Sequence, residues 1–117
     1  MGYVILFVSN MKESINFYKN ILQLPVKSES ENWTEFLHSE TMLALHPSTE
    51  EHKITDKNPK IGVSIGFVVN NLDHLCDELK SKGVKFLEEP KDEEFGRHAA
   101  ILDPDGYVIS LAQLKSQ

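Results

Sequence analysis

The hydrophobic and polar positions of this chain form a strand-like run, then a helical stripe, then further strand-like runs, and the order occurs twice. Residues 3–9 (YVILFVS) are apolar and rich in β-branched and aromatic side chains, which predicts a strand. Asn10 follows as a helix N-cap, Glu13 is its capping-box partner, and Pro25 marks the helix exit. The apolar stripe of this helix consists of Met11, Ile15, Tyr18 and Leu22. Three more strands are predicted over residues 26–30, 33–38 and 41–46, with a turn at Ser39–Glu40.

The second half repeats these elements. Residues 64–69 (SIGFVV) predict a strand, Asn70 or Asn71 caps the next helix, and Gly83 ends that helix as a C′ glycine. The helical stripe consists of Leu72, Leu75, Cys76 and Leu79. Three strands are then predicted within residues 84–90, 97–102 and 107–112, with a turn at Asp103–Gly106 between the last two.

A single offset of 61 residues aligns the two halves through the strand, the cap and the helical stripe. The aligned pairs include Tyr3 with Ser64, Val8 with Val69, and Asn10 with Asn71. A shared strand–helix period alone would not keep the caps in register, so the offset indicates a duplicated βαβββ unit. We therefore predict an α+β fold in one domain over residues 1–117. Its two tandem repeats span roughly 1–47 and 61–117, and the polar stretch 48–60 is the predicted linker.

Composition and charge exclude some classes of binding partner and indicate the cellular compartment. The formal net charge of −6 argues against sequence-independent binding to nucleic acid or to anionic membranes, which requires basic patches. No apolar run approaches the roughly 20 residues of a membrane span, and residues 1–10 lack the features of a signal peptide. Cys76 is the only cysteine, which excludes an intramolecular disulfide. These features predict a cytoplasmic protein.

Three segments carry a resemblance to a known family. They are FVSNMKESINFYKNILQL (7–24), FVVNNLDHLCDELKSKGVKF (67–86) and FGRHAAILDPDGYVISL (95–111). Together with the repeat, they resemble the vicinal oxygen chelate superfamily, which includes glyoxalase I, bleomycin-resistance proteins and extradiol dioxygenases. The resemblance implies curled mixed sheets that form a cup for the ligand, with the helices outside. It also implies that units pair across a homodimer in many members.

Enzymatic members of that family usually hold a metal in the cup. The resemblance implies ligands from the first and last strands of each unit, drawn from His, Glu and Gln. By alignment, the four positions fall on Tyr3, Ala44, Ser64 and Ser110. Neutral hydroxyl groups are poor ligands for zinc, nickel or iron, and alanine offers no donor. We therefore expect neither a metal at these positions nor another cofactor.

Strand alternation predicts the inner face of the first unit. The turn at Ser39–Glu40 pairs Leu37 with Met42, Glu35 with Ala44, and Trp33 with His46. Tyr3 joins this face from the first strand. Each polar or aromatic residue also has a structural interpretation: Trp33 as core, Glu35 as an edge residue and His46 as a surface histidine.

A four-residue turn at Asp103–Gly106 predicts the inner face of the second unit. It pairs Ile101 with Val108, Ala99 with Ser110, and Arg97 with Ala112, and it leaves His98 on the helix-facing side as a structural residue. Arg97 is alternatively a solvated rim residue, and Ser64 and Ser110 are alternatively packing residues. The complete set of predicted ligand-binding residues is Tyr3, Trp33, Glu35, His46, Ser64, Arg97 and Ser110.

These patterns leave three hypotheses for function. The first is a homodimer that binds an organic small molecule in its cup without a metal, as bleomycin-resistance-type proteins do. The second is a metal-dependent lyase or glyoxalase-type enzyme with displaced ligands, for which Glu35 and His46 are candidates. The third is a structural or regulatory module without a ligand. Whether the chain is an enzyme stays open at this point.

Overall fold

The computed structural model describes residues 3–38, 41–48 and 60–115. The chain divides into two compact units, Met1–Lys57 and Asn58–Gln117. The predicted turn at Ser39–Glu40 and most of the predicted linker lie outside the described residues. Within those residues, no helix combines the length and the apolar character that are needed to cross a membrane.

The described residues of the first unit form four strands and one helical segment. The elements are β1 (Tyr3–Val8), α1 (Met11–Ile15), a π-helical continuation (Asn16–Ile21), β2 (Val26–Ser28), β3 (Thr34–His38) and β4 (Thr41–Pro47). The strand order in the sheet is β1-β4-β3-β2. β1 is parallel to β4, and the other neighbours are antiparallel.

The second unit has the same topology. Its elements are β5 (Lys60–Val68), α2 (Leu72–Ser81), β6 (Lys85–Glu93), β7 (Gly96–Leu102) and β8 (Tyr107–Leu114). The order in the sheet is β5-β8-β7-β6, with β5 parallel to β8. The prediction of two βαβββ units with mixed sheets is therefore confirmed. β5 begins at Lys60, four residues before the predicted start of this strand, because the amide of Lys60 donates to the carbonyl of Gly106 at 2.9 Å.

Side chains and glycine geometry set the ends of both helices where the sequence predicts them. The amide of Glu13 donates to Asn10 Oδ1 at 3.0 Å, and the amide of His74 donates to Asn71 Oδ1 at 3.3 Å. Asn71 is thus the N-cap of α2. Gly83 has a φ of 79°, which favours glycine, and its amide donates to the carbonyl of Lys80 at 3.1 Å.

The buried face of the first helical segment differs from the predicted stripe. The predicted Tyr18 is buried together with Ser14 and Phe17, whereas the predicted Met11, Ile15 and Leu22 are half-buried. A π-helical segment begins at Asn16, and its wider turn rotates the side chains that follow relative to the 3.6-residue period. α2 is α-helical throughout, and Leu72, Cys76 and Leu79 are buried as predicted. 

Each sheet buries one face against its own helix. In the first unit this face carries Leu6, Val8, Phe36, Leu43 and Leu45, and in the second it carries Ile65, Phe67, Ala99, Ile101, Ile109 and Leu111. These side chains alternate along every strand with side chains on the opposite face, which we call the open face of each unit. The predicted site residues can be located by which of the two faces they occupy.

The β7–β8 hairpin corrects the predicted register by one residue. Leu102 pairs with Val108, Ala100 with Ser110, and His98 with Ala112, so the predicted pairing of Ala99 with Ser110 is wrong. The cause is the turn. The Asp103 carboxylate accepts hydrogen bonds from the amides of Asp105 at 2.9 Å and Tyr107 at 2.8 Å. Asp103 and Tyr107 therefore face each other, and three residues, ending at Gly106 with a φ of 86°, form the turn.

Candidate functional site

An aromatic cluster lies on the open face of the first unit. Phe7 on β1 pairs with His46 on β4, and their ring centroids are 5.5 Å apart in an edge-to-face arrangement. The Trp33 ring lies 6.1 Å from the His46 ring, also edge-to-face. Edge-to-face geometry is favourable for aromatic rings because the positive edge of one ring meets the negative face of the other. The three rings thus form a continuous aromatic surface across the sheet.

Glu35 places a carboxylate at the edge of this surface. Trp33 Nε1–H donates to Glu35 Oε1 at 2.6 Å, which fixes the indole ring relative to the carboxylate. The other carboxylate oxygen lies 3.9 Å from Lys27 Nζ, and the Lys27 side chain is largely exposed. Since Glu35 is only 20% exposed, this carboxylate is partly desolvated and presents a directed negative charge beside the rings.

The predicted inner face of the first unit agrees with the observed register. Leu37 pairs with Met42 and Glu35 pairs with Ala44, which confirms both pairs. Trp33 and His46 meet through their rings. The backbone of Tyr3 pairs with that of Met42 in the ladder, but the Tyr3 side chain lies outside the described part of the structure. Trp33, Glu35 and His46 are therefore brought together on one face.

The four positions aligned with metal ligands do not supply a suitable set of donors. Ala44 is fully buried and has no donor atom in its side chain. Ser64 is exposed on β5, and Ser110 lies on β8 with its hydroxyl group bonded to His98. Across residues 3–38, 41–48 and 60–115, no three His, Cys, Asp or Glu side chains are grouped so that they could hold a metal ion. The residues at these positions thus do not fit the metal site that the resemblance implies.

Arg97 does not share a face with Ser110, because the register differs from the predicted one. It pairs with Gln113 and extends toward α2, where it donates to Asp73 at 3.1 Å and to Asp92 at 2.7 Å. The hydrogen bond that Arg97 donates to the Asp92 carboxylate is the main cause that raises the pKa of Arg97 above its usual value. Arg97 thus links a strand, a helix and a neighbouring strand on the helix side of the sheet.

A polar chain of three residues crosses the open face of the second unit instead. His98 Nε2 lies 2.5 Å from Ser110 Oγ, and His98 Nδ1 lies 3.7 Å from Glu88 Oε1. Glu88 also accepts a hydrogen bond from Lys91 at 3.1 Å, which is the main cause of its lowered pKa. We call Glu88, His98 and Ser110 the serine–histidine–glutamate chain. Ser64 and Gly66 lie on the same face, paired with Val108 and Ser110.

The predicted register of the β7–β8 hairpin hid His98, and no pairing was predicted for the strand that carries Glu88. A one-residue slip exchanges the two faces of a strand, so His98 was expected on the helix side and Arg97 on the open face. The signal that would have corrected it is Asp103. An aspartate that begins a turn readily bonds to backbone amides further along, which fixes the number of residues in the turn.

Comparison with known proteins places these observations in a family context. The sequence model of the Glyoxalase/Bleomycin resistance protein/Dioxygenase superfamily matches residues 1–111. The lactoylglutathione lyase of Escherichia coli O157:H7 is 29% identical over 97% of this chain and 91% of its own length. The phenazine antibiotic resistance protein EhpR of Enterobacter agglomerans is 27% identical over 94% of this chain and 88% of its own length. The crystal structure of TnmS3, an antibiotic-binding protein from Streptomyces sp. CB03234, has a TM-score of 0.78 at 22% identity, and covers 97% of this chain and 93% of its own.

Proposed function

Because the chain belongs to the Glyoxalase/Bleomycin resistance protein/Dioxygenase superfamily, we propose that it binds an aromatic organic small molecule without a metal. We further propose that the molecule lies on the open face of the first unit. The observation that carries the proposal is the aromatic cluster of Phe7, Trp33 and His46 beside the Glu35 carboxylate. A mostly apolar surface with a few fixed polar groups is typical of small-molecule sites.

The chemistry of this surface indicates the class of ligand. A planar ring system that stacks on or abuts Trp33 gains about 0.5–1.5 kcal/mol per aromatic pair beyond the burial of apolar area. Glu35 adds a partly desolvated negative charge, which favours a ligand with a cationic or hydrogen-bond-donating group. Relatives named for phenazine resistance and for antibiotic binding support the same class.

Trp33 makes this proposal directly measurable because it is the only tryptophan of the chain. Titration with phenazine and with the cation N-methylphenazinium is expected to change tryptophan fluorescence with a saturable curve and to raise the thermal midpoint. Trp33→Leu is expected to abolish the thermal shift. Glu35→Gln is expected to weaken binding of the cation more than binding of neutral phenazine. Phe86→Leu is the matched control, since Phe86 lies on β6 of the second unit, beside Lys80. Equal thermal shifts in wild type and Trp33→Leu would refute the site.

A metal-dependent lyase is the alternative, favoured by the relatives named lactoylglutathione lyase. Its displaced ligands would be Glu35 and His46, which share the open face. Elemental analysis of protein purified without added metal separates the two functions. One metal per chain, lost together with ligand binding on chelation, would overturn the metal-free proposal. A protein with neither metal nor aromatic ligand would be the structural or regulatory module.

We also propose that the protein is a homodimer. β5 is an edge strand of its sheet, and its side chains Val63 and Val68 are 72% and 58% exposed. Exposed apolar side chains along an unpaired strand edge favour association with a second copy. Sedimentation at micromolar concentration tests this proposal, and Val63→Lys combined with Val68→Lys is expected to shift the protein to a monomer. A wild-type monomer would refute it.

A further inference from the structure

The serine–histidine–glutamate chain has the connectivity of a nucleophile, a base and an orienting carboxylate. His98 presents Nε2 to Ser110 Oγ at 2.5 Å and Nδ1 toward Glu88 Oε1 at 3.7 Å, so its two nitrogens have different partners. This order is that of serine hydrolases on unrelated folds, which are recognised by geometry and roles. We propose that Ser110 is a nucleophile that accepts the acyl group of short-chain carboxylic esters and transfers it to water.

The environment of His98 assigns the role of each nitrogen. With a proton on Nδ1, directed at the Glu88 carboxylate, Nε2 is left as the acceptor for the Ser110 hydroxyl proton. The hydrogen bond from Lys91 is the main cause that lowers the pKa of Glu88, which favours the charged form of this carboxylate. That charge stabilises the imidazolium that forms when His98 takes the proton. The separation of 3.7 Å is compatible with this role, because such contacts shorten when substrate binds.

The side chains around Ser110 determine the size of the acyl group. Along β8 its neighbours on the open face are Val108 and Ala112, and across the sheet they are Ala100 and Gly66. Gly66 is exposed, and a Cβ built on it would lie 3.9 Å from Ser110 Cβ, so the position of β5 directly opposite the serine carries no side chain. These small neighbours leave room beside the hydroxyl group for an acyl chain of a few carbons.

The reaction balances with water as the only co-reactant. Ser110 Oγ bonds to the ester carbonyl carbon while His98 Nε2 takes the hydroxyl proton. The carbon–oxygen bond to the leaving group then breaks, and the departing alcohol takes that proton from His98. A water molecule attacks the carbonyl carbon of the acyl-serine as His98 Nε2 takes its proton. The bond between that carbon and Ser110 Oγ then breaks, Oγ takes the proton back from His98, and the carboxylic acid leaves. No electron transfer is involved, and the chain ends in its starting state.

A fluorophosphonate probe tests the nucleophile without a variant. Ser110 displaces fluoride from the probe, and mass spectrometry of the digested wild-type protein is expected to find the adduct on Ser110 and not on Ser81. The same protein in denaturant is expected to give no adduct. Hydrolysis of p-nitrophenyl acetate should release p-nitrophenolate at a rate that depends on Ser110. Absence of a Ser110 adduct in the native protein would overturn the proposal.

Variants then test the base. His98→Gln is expected to slow labelling of Ser110 about 100-fold or more, which is the usual contribution of a general base. His74→Gln is the matched control, because His74 forms an exposed ion pair with Glu78 at 2.9 Å and should leave the rate unchanged. Circular dichroism verifies folding of both variants. A labelling rate in His98→Gln that equals the wild-type rate would overturn the proposal.

The positioning role of Glu88 is tested by the pH profile. The charged groups that face His98 are Glu88 and Lys91 on β6, and Ser110 faces it from β8 without a charge. Removal of the negative charge in Glu88→Gln is expected to move the midpoint of the labelling profile to lower pH, and Glu88→Asp is expected to restore it. An unchanged midpoint in Glu88→Gln would overturn the role of Glu88. This site and the aromatic cluster use different sheets, so either proposal can fail alone.

Discussion

The Asp103 carboxylate controls the register on which the second unit depends, and its removal gives a defined loss of stability. Asp103 is 5% exposed and accepts hydrogen bonds from the amides of Asp105 and Tyr107 at 2.9 and 2.8 Å. Hydrogen bonds to a charged group contribute about 1.5–3 kcal/mol each. Asp103→Ala leaves both amides without this acceptor, and Asp105 is itself buried. We expect the free energy of unfolding to fall by about 3 kcal/mol.

Asp103→Asn separates the loss of charge from the loss of the acceptor. The asparagine carbonyl can still accept from one or both amides, and bonds to a neutral acceptor are about half as strong, so we expect a loss of about 1.5 kcal/mol. Asp92→Ala is the control for removing a carboxylate. Asp92 is paired with Arg97, but its side chain is 84% exposed, so its loss should cost about 0.5 kcal/mol or less.

Urea unfolding followed by circular dichroism gives the three free energies. Hydrogen exchange of the amides of Asp105 and Tyr107 adds a local readout, because both should exchange faster in Asp103→Ala. The predicted order is Asp103→Ala, then Asp103→Asn, then Asp92→Ala. If the free energy of unfolding fell by less than about 0.5 kcal/mol in Asp103→Ala, or fell equally in both Asp103 variants, the charged carboxylate would not be the group that stabilises the turn.

Two further predictions concern the second unit. Gly96 has a φ of 146°, and a Cβ built there would lie 1.9 Å from the carbonyl oxygen of Gln113. Around a Cβ built on Gly83, no such neighbouring atom lies within 4 Å. Gly96→Ala should therefore destabilise the protein more than Gly83→Ala, and thermal melts of both variants test this order. Burial raises the pKa of Cys76 to about 11, so the native thiol should react slowly with iodoacetamide at pH 8 and quickly in denaturant. Because the folded state holds this proton longer than the unfolded state, stability should fall between about pH 9 and 11 by up to about 1.4 kcal/mol per unit, and this part of the pH dependence should be absent in Cys76→Ala.

Features that depend on residues close together in the chain were predictable from the sequence. Asn10, Asn71 and Gly83 bond to backbone groups within four residues of themselves, so their identity and spacing were sufficient. The repeat was predictable for a related reason, because one offset preserved the caps and stripes of both helices together. The first helix departs from its predicted stripe at Met11, Ile15 and Leu22, and the hydrophobic pattern carries no signal for the π-helical segment that begins at Asn16.

Features that depend on how two strands align were only partly predictable. The β3–β4 pairs of Glu35 with Ala44 and of Leu37 with Met42 were correct because the predicted turn length allows one register, and the observed ladder has that register. The predicted β7–β8 register was wrong by one residue because the Asp103 carboxylate accepts a hydrogen bond from the amide of Tyr107, which sets the length of the turn. That single contact moves Arg97 to the helix side and His98 to the open face. The candidate site of the second unit thus depended on a side-chain hydrogen bond that alternation does not report.

The two units show how one topology supports two different surfaces. Both have the strand order of a βαβββ unit, and their open faces carry different side chains. In the first unit, the side chain of Ala44 has no donor atom for a metal. Glu35, which pairs with Ala44, places a carboxylate on the same face and accepts a hydrogen bond from Trp33. At Ser110 the second unit keeps a hydroxyl group, and His98 from the adjacent strand binds it. The positions that the resemblance aligns with metal ligands therefore lie beside an aromatic surface in one unit and a serine–histidine pair in the other. The Trp33 titration and the Ser110 labelling test these two surfaces separately.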